Sequence, residues 1–244
     1  MTVRDVQRIQ TDVAQWWTQV EFVESTESTN TDLLASGTPG SVLLADEQVG
    51  GKGRKGRVWT APKGSSLIVS VCVEASPELG IASLAAGVAV TDVIPTATLK
   101  WPNDVLLGEK KVAGILSEAD FSGDAPRVVV GIGVNVAFRQ EELPVDTATS
   151  LNLEGIDVDW DQFAVDLLIA LGQRLNQWAT EPEALLADYR AVCSTIGKNV
   201  TIDTGAGTVE GLVEAVDKHG CVVVDGTSFS AGDVTHLRPK GNGA

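Results

Sequence analysis

The chain has 244 residues, 43% of them hydrophobic, and a formal net charge of -15. At about 150 residues per domain, that length accommodates one large domain with a full core and one small one. The acidity excludes a general binder of nucleic acid or anionic membrane, because the mean field repels polyanions and any anion has to be captured locally.

Cys72, Cys193 and Cys221 are odd in number and widely separated, with no CxxC spacing. They encode neither a disulfide framework nor a zinc site, and a reducing, cytoplasmic setting is expected. The opening MTVRDVQRIQTDVAQ carries charges where a secretion signal needs an apolar core. No apolar run reaches the roughly 20 residues that span a bilayer.

In chain order, Val3, Val6, Ile9, Val13, Trp16 and Trp17 recur at helical spacing and predict one amphipathic helix within residues 1–20, too short a stretch for a winged helix. Strand-like runs follow at 41–45, 66–73, 97–100, 104–107, 112–118 and 127–136, enough for one central sheet. Between the second and third of these, 79–94 is apolar almost all round, as in a buried helix. Trp160, Phe163, Leu167, Leu168, Leu171, Leu175 and Trp178 predict another helix, with Asp159 or Asp161 as its cap. A further helix opens at Pro182 and stops at Gly197. Strand pairs mixed with helices favour α+β over a regular βαβ alternation. After Gly197, short strands at 199–203, 208–215, 221–225 and 228–231 suggest a small β-barrel leaning on the main domain, with a disordered tail from Pro239.

Four segments carry candidate chemistry. Residues 50–59, GGKGRKGRVW, interleave four glycines with Lys52, Arg54, Lys55 and Arg57 just after a strand. Glycine lets backbone approach a ligand, and the cations supply charge-assisted bonds to phosphate or carboxylate. The segment matches neither a P-loop nor a GxGxxG fingerprint, so it indicates an anion without saying which. Residues 100–107, KWPNDVLL, read as a hairpin turn around Pro102 and Asn103. After it, Lys111 opens an apolar strand whose Ala113 and Gly114 are small enough to admit a ligand, so that its ammonium would face a pocket. In 130–136, VGIGVNV, two glycines lie on one strand face and Asn135 stands at its end, able to read a hydrogen-bonding edge. Glu27-Ser28-Thr29-Asn30 is either a helix N-cap, a set of ligand-binding hydroxyls, or both.

The segments ESTNTDLL, DEQ with GGKGRKGRVW, KWPNDVLL, KVAGIL and VGIGVNV together resemble the biotin-protein ligase family, in order and approximate spacing, over about residues 24–136. The resemblance implies a class II aminoacyl-tRNA synthetase-like α+β catalytic domain over 1–196 and an SH3-like barrel over 197–239. It also implies the type without an N-terminal DNA-binding domain. The implied activity joins biotin to ATP as biotinyl-5'-AMP, with Mg2+, and then passes biotin to a lysine of a biotin carboxyl carrier protein domain of a biotin-dependent carboxylase. A monomer or weak homodimer is implied, with no DNA or membrane partner.

By motif position, Ser28, Thr29, Asn30 and Gln48 would meet biotin's ureido ring and its neighbourhood, with Gly51, Lys52, Gly53, Arg54, Lys111 and Gly114 also around biotin. Arg54 and Arg57 would contact phosphates, Trp59 would support the closed loop or the nucleotide, and Asn103 and Asn135 would lie near the nucleotide. Lys111 would grip both the carboxylate and the α-phosphate, making Lys111 and Arg54 the implied catalytic pair. The magnesium ligands are not implied. The family usually has arginine where this chain has Lys52, which keeps the charge and loses the planar fork. The same fold also serves lipoate-protein ligases, which need a long apolar channel; the polar triplet 28–30 and Gln48 favour biotin. A nucleic-acid binder using the basic loop and barrel is opposed by the acidity.

Overall fold

A computed structural model describes residues 4–122, 125–205 and 207–237. Val3 and the tail from Pro239 lie outside the described residues. Helix α1 is Val6–Asp12, capped by the Asp5 carboxylate, which accepts from the Arg8 N–H. It is shorter than the helical spacing implies. Trp16 and Trp17 lie beyond its end. The Trp17 indole donates to the Leu168 carbonyl at 2.8 Å, and a side chain at Gly172 would collide with the Trp16 ring, so both tryptophans follow α4 packing rather than a continued helix. Strand β1, Gln19–Val23, comes next and was not anticipated; only Val20 on it is buried.

The remaining strands of the main sheet are β2 (Ser41–Ala45), β3 (Ser66–Glu74), β4 (Thr98–Lys100), β5 (Asp104–Leu107), β6 (Lys110–Asp120) and β7 (Arg127–Asn135). Their order is β1-β2-β3-β7-β6-β5-β4, with β1 parallel to β2 and every other pair antiparallel. Helices α3 (Ala82–Val93), α4 (Trp160–Thr180) and α5 (Pro182–Val192) fall where the periodicity puts them. Asp159 caps α4, and Pro182 opens α5, where its missing N–H costs no bond. On one sheet face Val69, Val71, Ile115, Val130, Ile132 and Val134 join these helices in the principal core.

Side chains alternate along a strand, so the opposite face carries Ile68, Ser70, Cys72, Gly131, Gly133, Gly114, Leu116 and Glu118. Helix α2 (Thr29–Ser36) covers one end of that face, where Leu33 packs on Leu43, Cys72 and Val129. Beyond α2 the glycine-lined part of the face is left without a covering helix. That gap locates the site.

The C-terminal sheet comprises β8 (Asn199–Asp203), β9 (Thr208–Val216), β10 (Val222–Val224), β11 (Thr227–Phe229) and β12 (Asp233–His236), in the order β11-β10-β9-β8-β12. β12 is absent from the strand pattern of the sequence. Val200, Ile202, Val213, Val222 and Val234 join the principal core, so the small sheet shares its apolar interior with the large one. Trp101, 1% exposed, ties the two together by donating its indole N–H to the Gly220 carbonyl at 2.9 Å. Among the described residues no helix is long and apolar enough to cross a membrane.

A second tie passes through Thr195, whose hydroxyl accepts from the Trp101 N–H and lies 3.0 Å from His236 Nε2. Burial, followed by the nearby Lys198 and Lys100 charges, lowers the His236 pKa to about 4. The unfolded chain takes up this proton near pH 6.5 and the folded chain only near pH 4, so protonation favours unfolding in between. Stability should fall as pH drops from about 6.5 to about 4. Denaturant melts at pH 7 and pH 5 should show a smaller loss for His236→Gln than for the parent; equal losses would remove His236 from the account.

Candidate active site

A cavity of about 270 Å³ occupies the uncovered sheet face. Gly114, Gly131 and Gly133 form its floor, the start of α2 one wall, the 101–104 turn and β12 another, and the basic loop its rim. The glycines are needed for space. A Cβ at Gly131 would stand 2.2 Å from Asn30 Oδ1, and one at Gly133 2.6 Å from the Trp59 ring. The tryptophan indole N–H is buried beside them without a partner.

One end is polar and uncharged. Ser28 caps α2 by accepting the Thr31 N–H at 3.4 Å. Gln48 Oε1 accepts the Thr29 N–H at 2.7 Å and lies 2.9 Å from the Thr29 hydroxyl. The Asn30 amide is held by the Leu116 carbonyl, the Glu118 carboxylate and the Ser70 hydroxyl. Ser70 is fully buried and flanked on β3 by apolar residues from Leu67 to Val73, so nothing in the sequence sets it apart.

The other end is charged. Lys111 is the second residue of β6, and its ammonium lies 2.5 Å from Asp104 Oδ1 and 5.7 Å from the Trp59 ring centre. Lys100 and Arg54 line the same end, and burial lowers the pKa of both. For Arg54, Asp233 and Asp104 oppose that shift, so carboxylates compensate its charge in the free protein.

The basic loop rests on the C-terminal sheet. Arg57 pairs with Asp233, Lys55 lies 3.5 Å from the same carboxylate and donates to the Asp203 carbonyl at 3.0 Å, and Arg54 donates to the Gly232 carbonyl at 3.4 Å. Lys52 donates to Thr31 Oγ1 at 2.9 Å, on the first turn of α2.

The structure therefore brings Ser28, Thr29, Asn30, Gln48, Lys52, Gly53, Arg54, Arg57, Trp59, Asn103, Lys111 and Gly114 to one cavity. Gly51 supports it from outside, packing against Gln48 and accepting the Trp59 N–H at 2.9 Å. Asn135 is not brought to the cavity. It lies on the same sheet face as Gly131 and Gly133, but the 147–151 segment covers it and its amide donates to the Thr149 carbonyl at 2.9 Å. Asp104, Lys100 and Asp233 line the cavity without having been singled out. Among the described residues no group of three or more His, Cys, Asp or Glu could hold a metal ion.

Residues 20–135 match the model of the biotin/lipoate A/B protein ligase family, and 195–237 match the biotin protein ligase C-terminal domain. The chain is 40% identical to the biotin–[acetyl-CoA-carboxylase] ligase of Mycobacterium tuberculosis, over 91% of this chain and 90% of that relative. The chain belongs to the biotin protein ligase family. It is 30% identical to the bifunctional ligase/repressor BirA of Escherichia coli, over 83% of this chain and 67% of that protein. Among solved structures, the biotin protein ligase of Aquifex aeolicus in complex with biotin and ATP is 25% identical and superposes with a TM-score of 0.76. That match covers 91% of this chain and 100% of the other. The protein is thus a biotin-ligating enzyme, with the class II synthetase-like α+β fold and SH3-like C-terminal barrel of biotin ligases.

Proposed function

We propose that the enzyme activates biotin with ATP to biotinyl-5'-AMP and pyrophosphate, then transfers biotin to a lysine of a biotin carboxyl carrier protein domain. The observation that carries this reading is the polarity of the cavity, with the neutral groups Ser28, Thr29 and Gln48 at one end and the cations Lys100, Lys111 and Arg54, offset by Asp104 and Asp233, at the other. A ureido head at Thr29, Gln48 and Ser28 would direct the carboxylate toward Lys111 and Arg54. The Aquifex relative's complex with biotin and ATP supports the same pair of substrates.

A carboxylate is a poor acyl donor because it would have to expel an oxide. Exchange of that oxygen for AMP supplies a leaving group. The biotin carboxylate attacks the α-phosphorus in line, and pyrophosphate departs. Lys111 sits where it can offset the repulsion between the two anions, and Arg54 and Arg57 can follow the phosphates once released from Gly232 and Asp233. The carrier lysine's amine then attacks the mixed anhydride and AMP leaves. Closure of the loop excludes water from that anhydride. Magnesium, when bound with the nucleotide, would neutralise phosphate charge. Asp104 is a cavity carboxylate suited to it, since such ions take one or two carboxylates and complete their shell with phosphates and water.

The reading assigns residues 1–196 to catalysis and 197–239 to the barrel. It places the enzyme in the cytoplasm as a monomer or weak homodimer acting on a carboxylase carrier, without DNA. A lipoate ligase would need an apolar channel where Thr29, Asn30, Gln48 and Ser70 stand.

A ligand held a thousandfold above its Kd adds about 4 kcal/mol of stability, which for a chain of this size raises Tm by roughly 10 °C. Biotin with ATP should give a shift of that order and either alone much less. Lipoate with ATP should give no more than ATP alone; a lipoate shift matching that of biotin would overturn the substrate assignment.

A further inference from the structure

The hydrogen-bond chain behind the polar end of the cavity has a direction, set by counting protons. Asn30 is 4% exposed, and its Nδ2 lies 3.1 Å from the Leu116 carbonyl and 2.8 Å from Glu118 Oε2. Both of these neighbours only accept, so the two amide hydrogens are committed there and Oδ1 faces Ser70. An amide oxygen cannot donate. The 2.6 Å contact between Ser70 Oγ and Asn30 Oδ1 therefore uses the single serine proton.

Ser70 Oγ is also 2.7 Å from Thr29 Oγ1. With its own proton committed, Ser70 can only accept there, so the threonine proton points back into the wall. Thr29 Oγ1 then has no proton for Gln48 Oε1, 2.9 Å away. Gln48 Oε1 is itself fixed as the oxygen, because it accepts the Thr29 N–H at 2.7 Å. Two acceptor oxygens thus flank one corner of the cavity with no hydrogen between them, and what they lack is a donor.

Resting on the biotin reading above, we propose that Glu118 is a positioning residue. Through Asn30 and Ser70, it turns the Thr29 hydroxyl into an acceptor aimed at the cavity and so selects a ligand that presents an N–H at Thr29 and Gln48. Glu118 is half-buried on β6, on the same sheet face as Gly114 and Leu116, and touches the ligand only through this chain. A cyclic urea supplies the missing donor, whereas the dithiolane of lipoate carries no N–H. Gly131 belongs to the same device, since any side chain there would occupy the space of the Asn30 amide oxygen.

The test measures dissociation constants by calorimetry for biotin and for its two cyclic carbamate analogues, in which oxygen replaces one or the other ureido N–H. The parent enzyme should bind biotin and discriminate strongly, by tenfold or more, against the analogue that puts an oxygen opposite Thr29 and Gln48. Ser70→Ala frees the Thr29 proton to turn toward the ligand, so its biotin-to-carbamate ratio should fall by tenfold or toward unity. Glu118→Ala should lower the ratio three- to tenfold, and Glu118→Gln, whose amide oxygen can still accept from Asn30, should largely restore it.

A merely structural role would lower the melting temperature and weaken both ligands alike, leaving the ratio untouched. An unchanged ratio in folded Ser70→Ala and Glu118→Ala overturns the chain while leaving the biotin reading standing. Failure of the parent to bind biotin overturns that reading, and the proposal with it.

Discussion

Lys111→Ala should slow pyrophosphate release from biotin and ATP by about 100- to 1,000-fold, while transfer from supplied biotinyl-adenylate falls far less. The ammonium lines the cavity at the start of β6, within reach of both ends of the charged half. In adenylation two anions must approach each other, and a fixed cation in a water-excluded site offsets their repulsion by about 3 to 4 kcal/mol. In the transfer step the phosphoryl chemistry is complete and the nucleophile is a neutral amine, so that repulsion is gone.

The mutation has a structural side effect. Asp104 loses the partner 2.5 Å away, but the pair is partly exposed, at 34% and 24% for the two side chains, and Arg54 and Lys100 remain near the carboxylate. Partly exposed pairs contribute about 1 kcal/mol or less, so Tm should move by only a few degrees. Near-parental pyrophosphate release in a folded variant would remove Lys111 from the phosphoryl step. A collapse of Tm would make it a strut of the β5–β6 hairpin instead.

The site was legible in the sequence wherever local pattern alone decides structure. Strands β2, β5 and β8 coincide with their strand-like runs to the residue, because alternation or continuous burial is set by the strand's own faces. Gly131 and Gly133 could be placed on one face from their spacing, and Lys111 could be aimed inward from its position ahead of Ala113 and Gly114. What failed depends on partners far away in the chain. Strand β12 buries only Val234 and exists through pairing with β8, so its four residues carry too little period to be seen. Missing β12 also hid Asp233, which meets Arg57 across 176 residues. Ser70 was lost within an apolar run. Asn135 marks the opposite limit, since its strand face could be placed but the segment that covers it has no periodic signature.

Gly131→Ala should weaken biotin binding by at least about tenfold and destabilise the fold, although alanine is an ordinary strand residue and the glycine does not occupy the left-handed region. The obstacle is space. The added Cβ would lie 2.2 Å from Asn30 Oδ1 and 2.9 Å from its Cγ, closer than nonbonded atoms allow. The amide cannot swing aside, because its nitrogen is held by Leu116 and Glu118 and its oxygen by Ser70, and displacement would leave buried polar groups without partners. Either α2 shifts as a whole or the network breaks. Overpacking of this kind costs about 1 to 3 kcal/mol, and a loss of 1.4 kcal/mol in binding is about tenfold in Kd.

Gly133→Ala provides the contrast on the next residue of the same face. Its Cβ would meet the Trp59 ring at 2.6 Å, but that ring belongs to the rim loop, whose ionic ties are partly exposed, and it can move outward. Its melt should stay within about 1 kcal/mol of the parent, with a changed tryptophan emission reporting the displaced ring. Denaturant melts and biotin calorimetry on the two variants decide the matter. If Gly133→Ala proves the more destabilised and Gly131→Ala binds biotin normally, the Asn30 network is not the rigid wall of the pocket.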